Sequence, residues 1–173
     1  MADGLYAFGS LETVEIPSSG PGAANDAVAK APVGILYRHQ GNTYRYVQHN
    51  PGTAVATAAG GVAYWRTLSP TAGTFVVSSD ESDTIAGING VAGVYGGVVT
   101  ALYYTWIQVA GVVAALVVNS TVAGDKMIGY ATDLNFNRIA AGGNVTDQVF
   151  GIALSTKNTT TGTSLVLLQN LNW

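Results

Sequence analysis

Residues 90–118, GVAGVYGGVVTALYYTWIQVAGVVAALVV, decide how the rest of the chain is read. They lie in a longer run, between Asp83 and Asp125, that contains no charged side chain. Valine, threonine and aromatic residues fill the stretch and single or paired glycines interrupt it, a composition that suits pleated, half-buried strands with bulges or tight turns. Tyr103, Thr105, Ile107 and Val109 alternate with Tyr104, Trp106 and Gln108, the period of two that a strand requires. Gly111 is then expected to separate this strand from a second one over 112–118. The glycines of GVAGVYGG are expected to mark bulges or close backbone contacts. Trp106 is expected in the barrel wall, packed by its neighbours along the valine-rich run. A membrane-spanning helix does not fit. The longest nearly polar-free piece, 107–118, includes Gln108 and Gly111 and is shorter than the roughly 20 apolar residues a bilayer needs. No Lys or Arg brackets it. No membrane partner is expected.

Outward from this stretch, strand signals recur at short intervals. VGILYRH (33–39) and TYRYVQH (43–49) flank the turn Gln40-Gly41-Asn42 and read as a hairpin. Tyr44 and Tyr46 fall on one face and Arg45 and Val47 on the other, and the tyrosines are expected to pack their rings inward with hydroxyls at the rim. Further strands are expected at VAYWRT, at TFVVSS, and over 126–131, 135–139, 148–155 and 163–169, with turns at Ser69-Pro70, Ala123-Gly124-Asp125 and 141–144. About ten short strands, with no amphipathic helix longer than two turns, define an all-β class: a compact single β-barrel or sandwich.

Residues 1–31 differ in kind. SSGPGAANDAVAKAP is rich in Gly, Pro, Ser and Ala, and apolar side chains occur only sporadically in the segment. Such a segment buries too little apolar area to offset its ordering entropy unless it lies on something else. The chain therefore divides into an extended N-terminal arm, 1–31, with at most a short helix over 23–30, and a β-barrel domain, 32–173. Leu5, Tyr6, Phe8, Leu11 and Ile16 are the candidate partner-contact residues, spaced as an extended chain would need to drop anchors into successive pockets.

Composition narrows the function. Charged residues are 10% of the 173 against 48% hydrophobic, and the mean hydropathy is +0.28, so much of the surface is expected to be covered by a partner. The net charge is −3 and no Lys/Arg cluster occurs, which disfavours direct nucleic-acid binding. There is no cysteine, hence no disulfide, thiol nucleophile or thiolate metal site. The N-terminus lacks the basic and apolar regions of a secretory signal, so the Asn-x-Ser/Thr triplets at Asn119, Asn144 and Asn158 read as turn chemistry. His39 and His49 are placed at opposite ends of the hairpin as rim residues. Asp80-Glu81-Ser82-Asp83 reads as a solvated loop tip, because a calcium loop needs more ligands at defined offsets. Neither a nucleophile elbow nor a phosphate-cradling glycine loop is present. No enzyme activity, cofactor or metal is expected.

The C-terminal two-thirds, about 90–171, resembles the small capsid decoration (cement) proteins of tailed bacteriophages. The resemblance rests on Trp-Ile-Gln-Val-Ala-Gly at 106–111, Ala-Gly-Asp at 123–125, Val-Phe-Gly-Ile-Ala-Leu at 149–154, and the Thr/Ser-rich 159–168 ending in alternating Val and Leu. It implies a compact β-barrel on the outer surface of the virion head, often a trimer, that clamps neighbouring major capsid subunits. The expected partners are thus the major capsid protein and further copies of the chain. A second reading is a receptor- or glycan-binding head-fibre or tail-fibre module, since exposed Tyr and Trp stack on sugars.

Overall fold

The computed structural model describes residues 24–51, 57–83, 90–129, 133–140, 143, 148–158 and 161–169. Leu5, Tyr6, Phe8, Leu11 and Ile16, and the arm up to residue 23, lie outside the described residues. The described chain is all-β. Its strands are β1 (Leu36–His39), β2 (Asn42–His49), β3 (Val62–Ser69), β4 (Thr74–Ser78), β5 (Val91–Tyr95), β6 (Tyr104–Val118), β7 (Lys126–Gly129), β8 (Phe136–Ile139), β9 (Val149–Ala153) and β10 (Thr161–Leu168), with 3-10 turns at Pro70–Ala72 and Glu81–Asp83.

β6 organises the fold. The valine-rich run is one 15-residue strand through Gly111, where the sequence pattern suggested two strands. Gly111 sits at φ +95°, a left-handed conformation that costs glycine little, and a Cβ there would overlap the side-chain oxygen of Asn42. That same oxygen accepts the Val112 N–H at 3.1 Å. The glycine therefore changes the strand's neighbours without ending the strand. Before it, β6 pairs β2 and β5; after it, β6 pairs β10 along its whole length, from Leu168↔Gly111 to Thr161↔Val118.

Two closed rings result. β2, β4, β3, β5 and β6 lie edge to edge and β6 returns to β2, a five-stranded barrel. β6, β10, β9, β7 and β8 form the second ring, closed by the single parallel pair Val117↔Phe136. One apolar core runs through both, from Val62, Trp65, Val77 and Ile107 to Val117, Met127, Phe136, Phe150 and Val166. β1 is outside the rings, joined to β2 by the two-residue turn Gln40-Gly41, whose φ values of 47° and 79° match a right-twisted hairpin.

Residues 24–31, the last part of the expected arm, lie on the first ring. They form no helix: Asp26 makes an antiparallel bridge to Tyr104 at the start of β6. The Pro32–Ile35 turn then leads into β1, with Ile35 N–H donating to the Pro32 carbonyl at 3.2 Å.

Candidate interaction surface

The alternation of β2 and β6 sorts their side chains onto two faces. Val47, Ile107 and Val109 enter the ring core, while Tyr46 and Trp106 belong to a separate cluster with Ala24 and Ala31. The tyrosine ladder thus faces away from the barrel interior, contrary to the expectation of inward rings, because the inward positions are taken by Arg45, Val47 and His49. Trp106 is only 2% exposed although it points out of the ring. Tyr37, at 5.9 Å between ring centroids, and Tyr46, at 5.0 Å, pack against it in place of the valine run, and Tyr104 stacks on Tyr46 at 6.0 Å. Residues 24–35 cover this aromatic face. Tyr46 Oη donates to Asp26 Oδ2 at 2.8 Å and accepts the Lys30 N–H at 3.1 Å. Burial raises the Tyr46 hydroxyl well above its ordinary pKa.

Inside the first ring lie two buried polar groups, Arg45 and His49. Arg45 is buried with its guanidinium over the rings of Trp65 and Phe75, at 5.7 and 5.5 Å. Burial lowers its pKa from the ordinary arginine value, and the aromatic faces supply the compensating attraction. It fills the flank where β2 and β4 pair only at Gln48↔Val76 and His49↔Val77. His49, expected at the rim, is 1% exposed, because the strand end is capped by 102–103: its N–H reaches the Tyr103 carbonyl and its carbonyl accepts the Leu102 N–H. Its Nδ1 lies 3.0 Å from the Tyr95 hydroxyl, and burial pulls its pKa down to about 4. Burial also raises the Tyr95 hydroxyl well above its ordinary value. The pair is neutral at pH 7. His39 is apart from it, stacked on Tyr37 at 6.1 Å.

The acidic tip is not a fully solvated loop. Asp80 is 6% exposed, and its Oδ1 accepts Ser82 N–H at 2.8 Å and Ser82 Oγ–H at 2.6 Å, which closes the 3-10 turn. Among the described residues no group of three or more His, Asp or Glu converges to hold a metal ion. Among the described residues no helix is long and apolar enough to cross a membrane.

The second ring carries a different surface. Val112, Leu154, Leu165 and Leu167 are each between 41% and 47% exposed. The register makes them neighbours: Leu167 pairs with Val112 on one side and Ile152 on the other, Leu165 pairs with exposed Ala114, and Leu154 N–H donates to the Leu165 carbonyl. This face spans the 112–114 part of β6, β10 and the end of β9, and carries no charge until Lys126, opposite Ile152 on β7. Sequence alternation in SLVLLQ marked β10 as a strand, but only the pairing with β6 shows that its outward residues meet another apolar row.

The class these features define is an all-β protein of two fused rings with a row of apolar side chains left exposed on the second. No protein-family model and no curated protein matches the chain. Among solved structures it is similar to the N base of the head fiber protein gp8.5 of bacteriophage phi29, with a TM-score of 0.51 and 9% sequence identity, covering 80% of this chain and 98% of that one. At that identity the likeness is one of fold.

Proposed function

We propose that the chain is a structural virion protein of a bacteriophage, located on the outer surface of the head, where it clamps neighbouring major capsid subunits and assembles with further copies of itself, as a trimer. It works without catalysis or a cofactor, through added buried contact alone. The observation that carries this reading is the fold likeness to a phage head-fiber base, which extends over nearly the whole of that structure. The charge-free face of Val112, Leu165, Leu167 and Leu154 supports it, since symmetric assembly covers apolar area of this kind. The neighbour is the N base of a head fiber, which favours a second reading, a receptor- or glycan-binding head-fibre or tail-fibre module.

Particles carrying the protein separate the two readings. A decoration protein is present at a copy number comparable to that of the capsid subunits, and its removal lowers the temperature at which the head opens; a fibre base is present in fewer copies and its removal leaves that temperature unchanged. Absence from purified heads overturns both. For the isolated protein, mass photometry is expected to show an oligomer that Leu165→Ser with Leu167→Ser dissociates. Because both side chains are half outside the core, the monomer's stability should change by only about 0.5 kcal/mol per site.

A further inference from the structure

We propose that residues 24–31 form a strap that opens and closes as a unit, hinged at the Pro32–Ile35 turn, while both rings stay folded; its opening uncovers the aromatic face of β2 and β6. The proposal is independent of where the protein resides, and it rests on how unequal the two sides of the contact are.

The strap brings little apolar surface to the joint. Its buried apolar side chains are Ala24 and Ala31, while Val28 is 76% exposed and the Lys30 side chain 45% exposed. What holds it is polar and lies mostly at the 24–26 end, with Lys30 N–H also donating to Tyr46 Oη at 3.1 Å. Ala24 carbonyl accepts Thr105 Oγ–H at 2.7 Å, and Asn25 Oδ1 accepts Thr100 N–H at 2.9 Å. Asp26 exchanges both backbone hydrogen bonds with Tyr104, at 2.9 and 2.8 Å, and accepts from Tyr46 Oη. Water can replace bonds of this sort at modest net cost, unlike buried apolar area.

The face beneath is built to persist without its cover. Tyr37, Tyr46, Tyr104 and Trp106 are packed ring on ring, and their strands are fixed by β2–β6 pairing and by the ring core, a cluster separate from the one the strap joins. The hinge is equally defined. Gly34 takes φ +91°, its N–H is held by the Tyr46 carbonyl at 2.7 Å, and Tyr46 N–H returns to the Ile35 carbonyl at 3.0 Å, so motion stops at the turn and does not unzip β1.

Residue-resolved hydrogen exchange on the full-length protein tests this. The Asp26 and Tyr104 amides are expected to exchange about a hundredfold faster than the ladder amides of β6 and β10, the signature of sub-global opening. Asp26→Asn and Tyr46→Phe should each speed those two amides further, about tenfold, and raise acrylamide quenching of Trp106 while leaving the melting temperature within a few degrees. Exchange of Asp26 and Tyr104 at the ladder rate overturns the proposal, because the strap then opens only with global unfolding. So does equal acceleration of strap and ladder amides in both variants.

Discussion

Along its first half, 104–110, β6 presents Tyr104 and Trp106 outward, Trp106 buried and Tyr104 partly so; along its second half, 112–118, the same strand presents Val112 and Ala114 outward and nothing among the described residues covers them. One strand thus serves two rings with opposite surface arrangements. The first ring holds buried polar groups, Arg45, His49 and Asp80, each accommodated locally by ring faces, a tyrosine hydroxyl or a turn. The second places Phe136, Phe150, Met127 and Val166 inside, buries Thr121, Ser164, Asp125 and Lys157 with partners of their own, and leaves leucines outside. The contrast shows why overall hydropathy was a poor guide to location: the apolar excess is partly a satellite aromatic core and partly a real outer face.

The largest expected effect addresses the second ring's closure. Phe136 is fully buried and provides the pair with Val117 that joins β8 to β6, so Phe136→Ala should cost about 3–5 kcal/mol in denaturant. Because one core runs through both rings, tryptophan fluorescence, read in a Trp173→Phe background so that it reports Trp65 and Trp106 in the first ring, should move together with far-UV circular dichroism. Two separated transitions would show instead that the rings fold as independent units, and the shared core would then have no cooperative meaning.

A smaller effect is expected at the junction. Gly111→Ala puts a methyl group where Asn42 Oδ1 now lies, at a φ that β-carbon-bearing residues avoid, and removes the bond to Val112 N–H. A loss of about 1–3 kcal/mol should follow. Gly41→Ala is the control, since its φ is also positive but open space surrounds the position. Equal losses at the two sites would mean that backbone strain alone is measured and that the Asn42 contact does not pin the change of partners.

Much of this architecture could be read from residue order. Alternation fixed the strand character of β2, β6 and β10, and the Gln-Gly pair fixed the first hairpin, because side-chain period and turn chemistry are local properties. The double ring could not be read that way. Gly111 looks like a strand terminator until Asn42, distant in sequence, is seen to occupy the space a side chain would need. His49 and Asp80 looked exposed because polarity at strand ends usually means solvent, whereas here Tyr95 and Ser82 supply the partners from β5 and the adjacent turn. The outer face of β10 was invisible for the same reason: an alternating strand has two faces, and only pairing tells which one meets a core.

The smallest expected effect again separates the rings, because the chain's two histidines both belong to the hairpin of β1 and β2. In the unfolded chain the His49 imidazole takes up a proton near pH 6.5, whereas in the fold burial delays that to about 4. Between these values the unfolded state binds more protons, so folding stability must fall as pH drops through the window and level off below it; above 6.5 no loss occurs. Most carboxylates titrate near 4, so the interval from pH 7 to 5 isolates the imidazole. Urea midpoints measured across that interval should decline for the wild type. His49→Gln keeps a side chain able to bond the Tyr95 hydroxyl but removes the titration, so its midpoints should stay nearly flat. A mutant profile that falls as steeply as the wild type would mean that His49 is not the group responsible and that water reaches it in the folded barrel. A flat wild-type profile would mean that the imidazole is protonated as readily inside the first ring as outside it, and the burial of His49 against Tyr95 would have no thermodynamic consequence.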